Sequence, residues 1–120
     1  MDIIIKSAAK PETHNSPCLV LPVFASKTLS KVAQIIDKAT QHALSQLVKR
    51  GDINGELGQT LLIPALTGIK AQRVLLLGCG KQEPLSEANY RSLLKSLLQQ
   101  LNNAQLEQCS VFFDQISVVE

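Results

Sequence analysis

At 120 residues the chain has the length of one domain, which argues against a two-lobed enzyme with a cleft between lobes. Hydrophobic residues make up 45% and charged residues 18%, a balance that excludes a disordered tail and supplies a real core. Twelve Lys and Arg against ten Asp and Glu leave a formal charge of +2, too even for an electrostatic footprint on nucleic acid or an anionic membrane.

Ile3 to Lys6 and Cys18 to Phe24 read as two strands, separated by a loop carrying Pro11, Asn15, Ser16 and Pro17. Pro22 cannot donate to a ladder, so the second strand is expected at a sheet edge or bent at that point. From Ser30 to Arg50, Val32, Ala33, Ile36, Ala39, Ala43, Leu44, Leu47 and Val48 recur at three- and four-residue spacing, the stripe of one amphipathic helix. Ser30 is its expected N-cap, Lys49 and Arg50 complement its negative end, and Gly51 supplies the left-handed stop.

After a turn-rich stretch punctuated by Gly51, Gly55 and Gly58, Thr60 to Ile63 and Arg73 to Leu77 read as strands joined by the loop around Thr67-Gly68. Val74-Leu75-Leu76-Leu77 shows no alternation, so this strand is expected to be covered on both faces. Beyond Pro84, Ser86 caps a second helix whose expected buried face is Tyr90, Leu93, Leu94, Leu97, Leu98 and Leu101, and Asn102-Asn103 end it. Cys109 to Phe113 and Ile116 to Val119 are the last strands. The order ββαββαββ predicts an α/β fold of three layers, a mixed sheet with helices on its faces, without repeat or linker.

Cys18, Cys79 and Cys109 form no CxxC pair, and their odd number cannot close completely into disulfides, which fits a reducing, cytoplasmic setting. The N-terminus lacks the basic start, apolar stretch and small-residue cleavage site of a signal peptide. No apolar stretch approaches the roughly 20 residues needed to span a bilayer. With no Trp, base stacking would fall to Tyr90, Phe24, Phe112 and Phe113, and the three Phe lie in apolar runs that read as core.

Gly78-Cys79-Gly80-Lys81 after a buried strand invites a phosphate-loop reading, because glycines let backbone N–H groups approach an anion while Lys adds charge. It lacks the Walker spacing and the helix that must open directly behind the glycines, so a structural turn is the expected role. Arg50-Gly51-Asp52 matches an integrin tripeptide but reads as a helix end followed by a turn. His14 and His42 have no ligand spacing and are expected at the surface. Ser110 lacks a nucleophile elbow, and the cysteines are expected to be buried and inert. Asp37, Asp52, Glu56 and Asp114 are scattered, so no catalytic, cofactor-binding or metal residue is assigned.

Lys49-Arg50-Gly51-Asp52-Ile53-Asn54-Gly55-Glu56-Leu57-Gly58-Gln59-Thr60-Leu61-Leu62, followed by Arg73-Val74-Leu75-Leu76-Leu77-Gly78-Cys79-Gly80-Lys81, resembles the N-terminal domain of the leucyl (cytosol) aminopeptidase family in its bacterial form. The resemblance extends to the opening strand, Leu29-Ser30, Ile36-Asp37 and Leu85-Ser86. It implies that residues 1–120 are a single non-catalytic, macro-domain-like N-terminal domain, cut short at its C-terminal end. It also implies a separate catalytic domain, absent here, that removes N-terminal residues from peptides with two divalent ions, zinc or manganese. The family's catalytic Asn-Thr-Asp-Ala-Glu-Gly-Arg run matches no position in the chain. The partners implied are the chain's own catalytic domain and a homo-hexamer, with assembly or interaction as the domain's role and no membrane. Two alternatives accompany this reading: an ADP-ribose or nucleotide-binding module, and a DNA-contacting regulatory domain using Lys27, Lys31, Lys49 and Arg50, the latter unsupported by net charge.

Overall fold

β-branched and leucine-rich runs suit pleated strands, and six strands occur among residues 2–6, 11–112 and 116, the part described by a computed structural model. They are β1 (Asp2–Lys6), β2 (Leu19–Phe24), β3 (Thr28–Leu29), β4 (Thr60–Ile63), β5 (Val74–Gly78) and β6 (Gln108–Phe112). The helices are α1 (Lys31–Ala39), α2 (Ala43–Arg50) and α3 (Glu87–Asn103), with a single 3-10 turn at Pro11–Thr13. The strands form one mixed sheet in the order β1-β6-β2-β5-β4, with β3 hairpinned onto the end of β2. β1, β6, β2 and β5 are mutually parallel, and β4 is antiparallel to β5.

Alternating residues of the two central strands feed two cores. Leu19, Leu21, Val23 and Leu76 pack with Val32, Ile36, Leu44 and Val48 of α1 and α2, while Val20, Leu75 and Leu77 pack with Leu93, Leu97 and Leu101 of α3. Every residue of β2 and β5 is buried, as the unalternating Val74–Leu77 run requires. The three-layer α/β arrangement is therefore the observed one. No helix among the described residues is long and apolar enough to cross a membrane.

Four local expectations change. Pro22 sits in the central strand, neither at an edge nor at a bend, and the register explains why it is tolerated. Odd-numbered residues of β2 bond to the β5 side, as with Leu19 N–H to the Arg73 carbonyl and Cys79 N–H to the Val23 carbonyl, so the imino side of Pro22 faces the other neighbour. There β6 pairs only Leu19 and Val20 and β3 begins at Val23, leaving a gap where the missing donor is not needed. The Pro22 carbonyl accepts from Ser30 N–H at 3.2 Å, closing the turn into α1.

The single helix expected over 30–50 is two. Gln41 and His42 adopt left-handed φ values of 58° and 63°, and Thr40 turns its hydroxyl back onto the Ile36 carbonyl at 2.8 Å. The buried Asp37 carboxylate caps the second helix, accepting from Ser45 N–H at 2.8 Å, from the Ser45 hydroxyl, and from His42 Nδ1 at 3.1 Å. The expected caps at Ser30 and Ser86 are present, each hydroxyl accepting a backbone N–H three residues on, and Gly51 ends α2 at φ 88°.

On α3 the buried stripe is narrower than expected: Leu93, Leu97 and Leu101 are buried, Tyr90 and Leu94 are half-buried, and Leu98 is 39% exposed. β3, only two residues long, was not expected. Phe113 and residues 117–119 of the last expected strand lie outside the described residues; Ile116 packs against the α3 core.

Leu97→Asp should abolish stable folding, since it leaves a charge without a partner at a fully buried position where truncation to Ala already costs about 2–5 kcal/mol. Leu94→Asp should cost less, and Gln99→Asp, at an exposed position, should stay within about 0.5 kcal/mol. Thermal melts of the three variants check the assignment of the helix face.

Candidate functional site at the strand ends

In open sheets of parallel strands, ligands bind beyond the carboxyl ends of the strands. That edge is where Gly78-Cys79-Gly80-Lys81 leaves β5, and its backbone donors decide what the loop can hold. Gly78 N–H bonds to the Gln59 carbonyl at 2.6 Å, Cys79 N–H to the Val23 carbonyl at 2.9 Å, and Gly80 N–H to the Gly55 carbonyl at 2.9 Å. A phosphate cradle needs free, convergent N–H groups. Here three successive ones are engaged by the protein's own carbonyls.

The segment that engages them is the glycine-punctuated stretch before β4. Its Asn54, Gly55 and Glu56 N–H groups converge on one acceptor, the Gln59 side-chain oxygen, at 2.9, 3.0 and 3.3 Å. This is the geometry of an anion nest with a neutral amide oxygen in the anion's place. Ala25 N–H to the Gly80 carbonyl and Lys27 N–H to the Asn54 carbonyl tie the end of β2 to both loops. The approach is so close that a Cβ on Gly55 would overlap the Phe24 carbonyl, and one on Gly78 would overlap the Glu56 carbonyl. Beside the loop lies a shallow depression of about 250 Å³ lined by Leu57, Cys79, Lys81 and Asn89 among others. Ser86, at the start of α3, accepts the Asn89 N–H at 3.1 Å, so the first turn of that helix is capped from within.

The remaining candidates fall elsewhere in the fold. His14 is half-buried, not a surface residue, and its Nε2 lies 2.9 Å from the Ser110 hydroxyl, with its ring edge-on to Phe112. Ser110 donates to the Ser16 hydroxyl at 3.1 Å, which in turn donates to the Cys18 carbonyl at 3.0 Å. The Ser110 proton is thus directed away from His14, which must donate to the serine; this is the reverse of a nucleophile and its base. His42 is exposed and bonded to Asp37. Arg50 and Asp52 pair with each other at 3.0 Å across Gly51, as a helix end and turn would have them. Asp114 lies outside the described residues.

All three cysteines are buried and free. Burial pushes the Cys18 and Cys79 thiols up to about 12 and Cys109 to about 11, leaving almost no thiolate near neutrality. Among the described residues, no three His, Cys, Asp or Glu side chains gather closely enough to hold a metal ion. Sequence reasoning missed Asp37 and Gln59, whose roles depend on tertiary placement that neither spacing nor a motif signals.

Residues 20–120 match the cytosol aminopeptidase family, N-terminal domain. The chain belongs to this family. It is 38% identical over 118 residues to a probable cytosol aminopeptidase of Idiomarina loihiensis and 36% identical to a cytosol aminopeptidase of Vibrio cholerae. In both cases the match covers 98% of this chain and 23% of the relative, so the chain spans about a quarter of the curated relatives' length. Among solved structures, a tomato leucine aminopeptidase mutant matches with TM-score 0.68 and 21% identity, over 92% of this chain and 22% of that one. The macrodomain of Mycobacterium tuberculosis DarG matches with TM-score 0.66 and 13% identity, over 91% and 74%. The cytosol aminopeptidase N-terminal domain thus has the macro-domain-like fold that the resemblance implied.

If the strand-end loop held a nucleotide, ADP-ribose a hundredfold above its Kd would stabilise the chain by about 2.7 kcal/mol and raise its Tm by roughly ten degrees. No shift is expected; Lys81→Ala should change stability by less than about 0.5 kcal/mol, and Gly55→Ala should cost about 2 kcal/mol or more.

Burial raises the Asp37 pKa, but hydrogen bonds from Ser45 and His42 outweigh it, so the folded-state value lies below the ordinary 3.8. Its contribution is complete above the unfolded-state value and is lost as pH falls below 3.8 through the folded-state value, where the unfolded chain takes up the proton first. Asp37→Asn should cost about 1–3 kcal/mol at neutral pH and flatten acid unfolding in that window, as measured by denaturant titration at several pH values.

Proposed function

We propose that this chain is the non-catalytic N-terminal domain of a metal-dependent, cytoplasmic aminopeptidase that releases N-terminal residues from peptides, and that it serves assembly or interaction. The observation that carries this reading is the match of nearly the whole chain to about a quarter of each aminopeptidase relative. In this reading the catalytic residues and two divalent ions, zinc or manganese, belong to the part of the relatives that the chain does not span. The described residues offer no donor set for those ions, so no step of the reaction is assigned to them. A homo-hexamer with the catalytic segment as the direct partner completes the proposal.

A nucleotide-binding role draws support from the macro-domain-like fold alone. The engaged N–H groups of Gly78, Cys79 and Gly80 weigh against it. A DNA-contacting role has the basic residues between positions 27 and 50 to draw on but, at a net charge of +2 for the whole chain, only weak, salt-sensitive attraction is expected of it.

The isolated chain should not hydrolyse leucine p-nitroanilide with added manganese or zinc, and its Tm should not respond to a chelator. Turnover that co-purifies with the chain and disappears on a point substitution within it would overturn the reading.

A further inference from the structure

Five of the twelve basic residues, Lys27, Lys31, Lys38, Lys49 and Arg50, fall between positions 27 and 52, together with only two of the ten acidic ones, Asp37 and Asp52. Both of those carboxylates are engaged, Asp52 by Arg50 at 3.0 Å and buried Asp37 by Ser45 and His42. With five basic residues against two acidic ones, residues 27–52 carry a formal +3 in a chain whose net charge is +2.

The fold concentrates part of that charge. Lys27, from the turn between β2 and β3, and Lys49, from the last turn of α2, line one cleft of about 260 Å³ with Leu29, Val48 and Ser45. Neither lysine has an ion-pair partner among the described residues. Ser45 gives both its N–H and its hydroxyl proton to Asp37, so the two lysines are the side chains of the cleft left to meet an anion. The turn that presents Lys27 holds Ser26 and Lys27 at φ 66° and 59°, a left-handed pair usually left to Asn and Gly. These φ values are those of the tight hairpin turn that joins β2 to β3, and the turn fixes Lys27 beside Leu29.

We propose that this cleft docks an acidic segment of a partner protein in which an apolar side chain is flanked by carboxylates. The apolar side chain meets Leu29 and Val48, and the carboxylates meet the Lys27 and Lys49 ammonium groups. A nucleic acid fits less well, because the cleft is the size of a side chain and Phe24 and Phe112 are buried where stacking would need them exposed.

The test is an amide chemical-shift titration of the 120-residue chain with the peptide acetyl-Glu-Asp-Leu-Asp-Glu-amide. Expected shifts centre on Thr28, Leu29, Ser45 and Val48 and weaken between about 50 and about 300 mM salt. Lys27→Gln or Lys49→Gln should each raise Kd about threefold, with Lys95→Gln on α3 as the unaffected control and each variant checked for a native spectrum. Replacing the peptide's acidic residues by Asn and Gln should abolish binding, and replacing its Leu by Ser should weaken it. The proposal is overturned by no binding at millimolar peptide, by equal binding of the uncharged peptide, or by binding that survives both lysine substitutions. It is also overturned if a short DNA duplex shifts the same amides at lower concentration.

Discussion

Backbone lies on backbone at the carboxyl ends of β2 and β5, and that contact decides which N–H groups these two strand ends can offer. Gly55 and Gly78 let the 54–59 loop come within hydrogen-bonding distance of the strand ends, where a Cβ would overlap a carbonyl oxygen. The same approach supplies acceptors for the N–H groups of Gly78, Cys79 and Gly80. At β2 and β5, the edge that in other sheets of this class stays open for a ligand is occupied by the chain's own 54–59 loop. Gln59 completes the closure, because its side-chain oxygen satisfies three N–H groups that would otherwise need water or an anion.

This closure connects the fold to the proposed role. With the β2 and β5 ends engaged in this way, the outer helical layers supply the other exposed surfaces, and the two layers differ in what they expose. The α1/α2 side carries concentrated positive charge and a small apolar-floored cleft, whereas α3 presents the half-buried Leu94 and the exposed Leu98 beside Arg91 and Lys95. Buried groups elsewhere, including the three high-pKa thiols and the His14–Ser110–Ser16 relay, maintain the core and its polar seam.

Much of the architecture was legible because it depends on local chemistry. The unalternating Val74–Leu77 run required cover on both faces, Ser30 and Ser86 announced helix starts, and Gly51 announced an end. The break between α1 and α2 was not legible, since Ile36, Thr40, Leu44 and Val48 keep four-residue spacing straight across it and no Gly or Pro marks the turn. What breaks the helix is a buried Asp37 reaching the Ser45 N–H, a contact that exists only once the fold has formed. Pro22 misled for a related reason: its missing donor forbids a ladder bond on one side only, and the sheet has a gap on that side. At the strand ends, the glycines signalled a turn, but nothing in their spacing named Gln59 as the group that fills it.

Amide hydrogen exchange, read residue by residue on the 120-residue chain, tests the closed edge most directly. The Asn54, Gly55, Glu56, Cys79 and Gly80 N–H groups should be protected to a degree comparable with the amides of β5, and inorganic phosphate should leave their rates unchanged. Exchange of these amides at the rate of an open loop, slowed by added phosphate, would contradict the account and make the strand ends a binding site.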